Sequence, residues 1–120
     1  MATGPPWVIL VVEDEWIIRD QIAQELRGAG WQVLESHTAE AAIDYLRARR
    51  EIRVLFTDIQ LAGQMSGWDV AEEFRTIRPE AAVIYASGNT QDRSRRVAGS
   101  LFFDKPYVMA DVVETCCGFV

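Results

Sequence analysis

Short apolar runs alternate with stretches in which apolar residues recur every three or four positions, and this alternation continues along nearly the whole chain. The runs are Val8–Val12, a mixed Trp31–Glu35, Val54–Thr57, Ala82–Ala86 and Leu101–Phe103. Each has the length and composition of a strand. After the first run, Ile17, Ile18, Ile22, Ala23 and Leu26 repeat at helical spacing, and Gly28 and Gly30 supply a stop signal. Thr38 reads as the cap of a second helix with Ala41, Ala42, Tyr45 and Leu46 as its stripe. Arginines at the end of that helix complement its dipole. A third helix turns Val70, Ala71, Phe74 and Ile77 inward and stops before Pro79. The polar stretch Thr90–Ala98 reads as a fourth helix, and Val108–Cys117 as a fifth. Five strand–helix units predict an α/β domain on a parallel sheet. Residues 1–6 read as a disordered lead-in and 7–120 as the domain, with no repeat or linker inside it.

A chain of 120 residues has room for one domain with a real core. Its 49% hydrophobic and 25% charged residues are those of an ordinary soluble protein. The net charge of -6 argues against a nucleic-acid-binding surface over the whole domain. Arginines bunch at Arg47, Arg49, Arg50 and Arg53 and again at Arg93, Arg95 and Arg96. Both bunches read as solvated helix faces or ends. Cys116 and Cys117 are adjacent, a poor arrangement for a disulfide, and read as reduced, which fits a cytoplasmic protein. No apolar stretch approaches the roughly 20 residues of a membrane span, so no membrane contact is expected.

The chemistry sits where the apolar runs end. Val8–Val12 runs into Glu13-Asp14, Val54–Thr57 into Asp58, and Phe102-Phe103 leads through Asp104 to Lys105-Pro106. A single acidic residue after a strand is usually a turn former. If the strands are parallel neighbours, however, three carboxylates crowd together at their carboxyl ends, where ligands bind in open parallel sheets. Such a cluster repels itself unless it holds a hard, oxygen-seeking cation, and magnesium is the obvious candidate. A carboxylate beside magnesium, with a lysine to steady phosphate oxygens, is equipped to accept a phosphoryl group. Ser87 ends the fourth run in the same layer.

The acidic pair Glu13-Asp14, the isolated Asp58, the hydroxyl residue Ser87 and the Phe-x-x-Lys-Pro run Phe102–Pro106 together resemble the receiver domains of two-component response regulators, the CheY-like family. The resemblance covers Trp7–Val120. It implies a flavodoxin-like, doubly wound five-stranded parallel sheet of order 2-1-3-4-5 with five helices. It also implies that Asp58 is the phosphoacceptor, attacking a phosphohistidine of a sensor histidine kinase or histidine phosphotransfer protein. Magnesium would be held by Asp14, Asp58 and the backbone carbonyl of Gln60, with Glu13 acting through a water. Ser87 and Lys105 would bind phosphoryl oxygens, Phe102 would be the switch aromatic, and the bond before Pro106 would be cis. Such a domain is not an enzyme in the ordinary sense, although it promotes its own phosphorylation and dephosphorylation. Its downstream protein target would dock on the fourth helix, fifth strand and fifth helix, a face expected to present Arg93, Arg95, Arg96, Leu101, Asp104, Tyr107 and Met109.

Some positions depart from the common pattern. Leu61 is followed by Ala62 rather than proline, in a glycine-flanked loop through Met65 to Gly67. Ser87 replaces the frequent threonine and Phe102 the frequent tyrosine. Two other functions compete. A magnesium-dependent phosphohydrolase with an aspartyl nucleophile would need an Asp-x-Asp motif near the first strand, which Glu13-Asp14-Glu15 does not supply. An unphosphorylated receiver-like interaction module is opposed by the intact acidic pair, Asp58, Ser87 and Lys105. Trp31 and Trp68 read as packing residues, Trp7 and Trp16 as partly exposed, and the sole histidine, His37, as a surface loop residue.

Overall fold

In the computed structural model, which describes residues 7–119, strands and helices alternate as the apolar pattern requires. They are β1 (Val8–Val12), α1 (Trp16–Gly28), β2 (Gln32–Ser36), α2 (Ala39–Ala48), β3 (Ile52–Asp58), α3 (Gly67–Ile77), β4 (Ala82–Ser87), β5 (Leu101–Asp104) and α4 (Met109–Cys117). The expected lead-in over 1–6 lies outside the described residues.

All five strands are parallel, in the order β2-β1-β3-β4-β5. This is the flavodoxin-like order, with helices on both faces. Along β1, Val8, Leu10 and Val12 face the core under α2 and α3, while Ile9 and Val11 face the core under α1 and α4. A strand buried on both sides has no polar face, which is why its sequence is continuously apolar rather than alternating. The Thr38 hydroxyl caps α2 by accepting the Ala41 N–H at 3.1 Å. At the start of α3 the Asp69 carboxylate accepts the Ser66 N–H at 2.8 Å. Trp31 and Trp68 are buried, as packing residues should be, whereas Ile77, expected to point inward, is 38% exposed in the last turn of α3.

One helix is missing. The described residues contain four helices rather than five, and the segment expected to form the fourth, Thr90–Ala98, runs as turns and irregular chain between β4 and β5. The physical reason is composition. A short helix gains most of its stability by burying an apolar stripe, and this segment has only Val97 and Ala98 to offer. Its arginines are instead drawn to separate partners. Arg95 bonds Asp69 at 2.9 Å and Glu72 at 2.7 Å on α3. Arg93 pairs with Asp104 on β5, and Arg96 bonds Ser100. The Tyr85 hydroxyl, rising from the buried strand, accepts the Val97 N–H at 3.1 Å and fixes the middle of this strap. Gly99, at φ +71, reverses the chain into β5 in a region few other residues adopt. The arginine bunch is therefore a set of tethers, not a helix face, and the expected signalling face loses its helix.

Candidate functional site

The pairing of Val12 with Thr57 brings Glu13 and Asp58 out side by side at the carboxyl ends of β1 and β3. Glu13, Asp14 and Asp58 each place a carboxylate oxygen within 4.8 Å of the others. Asp58 is fixed by its surroundings. Its neighbour Ile59 donates its N–H to Ala86 at 3.1 Å and accepts the Gly67 N–H at 2.8 Å. Gly67 comes so close that a Cβ there would overlap the Asp58 carbonyl oxygen and lie 2.9 Å from the Ile59 Cα. Only glycine allows the start of α3 to pack against the end of β3.

Lys105 spans the cluster, its Nζ donating to Glu13 Oε1 and to Asp58 Oδ2 at 3.1 Å each. Its own N–H bonds the Ser87 carbonyl at 2.9 Å, and the Lys105–Pro106 peptide is cis. Glu13 is only 1% exposed. Burial, reinforced by the charge of Asp58, raises its carboxyl from 4.5 to about 7, against the pull of the Glu15 N–H and Lys105. Burial disfavours the charge of Lys105, but Asp58 and Glu13 outweigh it and raise its affinity for the proton. Arg19 fixes the turn by bonding the Glu13 carbonyl at 2.9 Å.

Asp14, Asp58, Gln60, Ser87 and Lys105 line one open cleft of about 420 Å³. Glu13 lies beneath it, and Asp14 is exposed at its mouth. Ser87 is 3% exposed, with its hydroxyl 2.5 Å from that of Thr90. Phe102 stands outside the cleft. Its ring packs on Tyr85 and Trp68, at 5.9 and 6.4 Å between centroids, and carries the Arg93 guanidinium 3.6 Å above it. Pro106 lines a neighbouring apolar depression of about 360 Å³ with Ile18, Tyr107 and Met109. Trp16, Ile17 and Val108, next in the chain to these lining residues, are 66%, 55% and 61% exposed.

Two residues that shape the site escape a reading of strand ends. Gly67 looks like one loop glycine among several, and Thr90 looks like the start of a helix. A hydroxyl three positions after Ser87 was the available signal for the second. Tyr107, expected on an outward face, is turned inward, edge-on to Phe56 at 5.9 Å, and burial pushes its hydroxyl up to about 12.

The donor set suits magnesium. All the candidate ligands are oxygens, three of them carboxylates, and the single charge of Lys105 leaves the group under-neutralised. No helix among the described residues is long and apolar enough to cross a membrane.

Comparison with known proteins agrees with this geometry. The chain is 30% identical over 116 residues to the probable transcriptional regulatory protein TcrX of Mycobacterium tuberculosis, covering 93% of this chain and 49% of TcrX. It thus spans about half the length of that relative. A response regulator receiver protein from Sinorhizobium medicae WSM419 superimposes with a TM-score of 0.89 at 28% identity, over 94% of this chain and 93% of the other. The BeF3-activated DrrB receiver domain superimposes with a TM-score of 0.80 at 25% identity, over 96% and 97%. Residues 9–114 match the response regulator receiver domain as a family. With the sheet order and the acidic strand ends already in place, the chain belongs to the response regulator receiver family of two-component signalling systems.

Proposed function

We propose that the chain is a phosphorelay receiver in which Asp58 takes a phosphoryl group from a phosphohistidine of a sensor kinase or phosphotransfer protein. An Asp58 oxygen attacks phosphorus, the phosphorus–nitrogen bond to the imidazole breaks, and an acyl phosphate remains on Asp58. The observation that carries this reading is the Lys105 ammonium held 3.1 Å from Asp58 Oδ2 within a cluster of three carboxylates. Magnesium would be held by Asp14, Asp58 and the Gln60 carbonyl, with Glu13 reached through a water, and it would neutralise charge on the transferring group. Lys105 would follow a phosphoryl oxygen once Asp58 is phosphorylated, and Ser87 lines the same cleft. The exposed Trp16, Ile17 and Val108, next in the chain to the lining of the apolar depression around Pro106, would offer a donor protein an apolar footing. The response would be read by a downstream protein on the strap between β4 and β5, on β5 and on α4.

Beryllofluoride, which mimics a phosphoryl group on a carboxylate, tests the reading. In the presence of magnesium a bound fluorine signal is expected for the parent protein and none for Asp58→Asn. A parent that binds no beryllofluoride, or an Asp58→Asn variant that binds it equally, contradicts the assignment.

A further inference from the structure

Ser87 has one hydroxyl hydrogen and two lone pairs. Its Oγ accepts the Asn89 N–H at 3.3 Å and lies 2.5 Å from Thr90 Oγ1. If Thr90 donated in that second bond, the hydrogen of Ser87 would have no protein acceptor and would be left to the solvent of the open cleft that Ser87 lines. Ser87 is 3% exposed, whereas Thr90 is only half-buried and can donate elsewhere. Ser87 donating to Thr90 is the arrangement that gives this hydrogen a protein acceptor. With Ser87 as the donor, the only hydrogen it could give to a phosphoryl oxygen is committed to Thr90.

We propose that Thr90 is a positioning residue that holds the Ser87 hydroxyl away from the phosphoryl site, so that occupancy of Asp58 must exchange the Ser87–Thr90 bond for one to a phosphoryl oxygen. The proposal rests on Asp58 being the acceptor. It also gives the helix-free strap a point of entry into the response, because Thr90 is its first side-chain hydrogen bond to the site. Beyond Thr90 the strap is held by the Val97 N–H on Tyr85 at 3.1 Å, by Arg95 on Asp69 and Glu72, and by Arg93 on Phe102 and Asp104. Most of these are solvent-exposed ion pairs, which resist displacement weakly. Loss of the Thr90 anchor can therefore be transmitted without unwinding any regular element.

The test is the affinity for beryllofluoride in magnesium, measured for the parent and for Thr90→Val, Thr90→Ala and Thr90→Ser. Thr90→Val and Thr90→Ala remove the competing acceptor and are expected to bind about two- to tenfold more tightly, the range of one neutral hydrogen bond. Thr90→Ser restores the hydroxyl and should match the parent. In a Ser87→Ala background the Thr90→Val change should have no effect, an outcome that a merely structural role for Thr90 would not produce. Equal or weaker binding by Thr90→Val, or the same gain with and without Ser87, overturns the proposal. A parent that binds no beryllofluoride at all would sink the phosphoacceptor reading along with it, whereas an unresponsive Thr90 series in a binding parent sinks only the role of Thr90.

Discussion

The two sides of the cleft are built by different physics. On the β1–β3 side the acidic residues leave buried strands. Glu13 and Asp58 are covered, and the loop after Asp58 is pinned by backbone bonds to Ala86 and Gly67. On the β4–β5 side the chain from Asn89 to Ser100 has no regular structure and is held by hydroxyls and arginines. Buried backbone pairing fixes position, while exposed ion pairs contribute little and yield easily. The rigid side is suited to holding reacting atoms in place, and the loosely tethered side to changing when they react. The comparison teaches where to expect stability effects and where to expect response effects.

Gly67 should show the largest stability effect. Gly67→Ala pushes a methyl into the Asp58 carbonyl, and an expected cost of about 2–4 kcal/mol in urea unfolding should come with weakened beryllofluoride binding. Gly99→Ala, on the other side, meets no atom within 4 Å and carries only the strain of φ +71, an expected cost of about 1–2 kcal/mol with the site intact. Equal losses of binding from the two would erase the distinction between the sides.

A pH series probes the buried acid. The folded-state value for Glu13 is raised from 4.5 to about 7, so between these limits the folded protein keeps a proton that the unfolded chain releases. Its contribution is fully present below 4.5 and is lost as pH rises through about 7. Metal-free protein should lose about 1–3 kcal/mol across this window, and Glu13→Gln should flatten the profile. Asp69, whose carboxyl is held low by the Ser66 N–H, affects only more acid conditions. Magnesium should recover the lost stability at neutral pH by binding the folded state alone. A parent profile as flat as that of Glu13→Gln would contradict the burial argument.

The smallest global effect is expected in the strap. Arg95→Gln should cost under about 1 kcal/mol, because both of its ion pairs are exposed. It should nonetheless speed hydrogen exchange at the Val97 amide, with high salt doing the same to the parent. Unchanged exchange at Val97 would mean that the arginine tethers do not restrain the strap.

This contrast also explains what was legible from residues alone. The strands of the central sheet could be read because burial on both faces leaves uninterrupted apolar runs, and the cap at Thr38 because its hydroxyl acts locally. Glu13, Asp14, Asp58, Ser87 and Lys105 could be located because each ends a strand or comes just after one. The Thr90–Ala98 segment misled because arginines are good helix formers, while the decisive partners, Asp69, Glu72 and Asp104, are distant in sequence or belong to another element. Tyr107 was misplaced for a related reason: nothing local shows that its ring fills space beside Phe56. Thr90 was hidden inside the helix that did not form.

The most direct test of the phosphoacceptor claim is covalent. Parent and Asp58→Asn proteins would be incubated with acetyl phosphate and magnesium, and the site of modification mapped by mass spectrometry after rapid acid quenching. The account predicts one phosphoryl group on the parent, carried by the peptide containing Asp58, and none on Asp58→Asn. Modification of Asp58→Asn to the same extent, or a parent that takes up none, would contradict it.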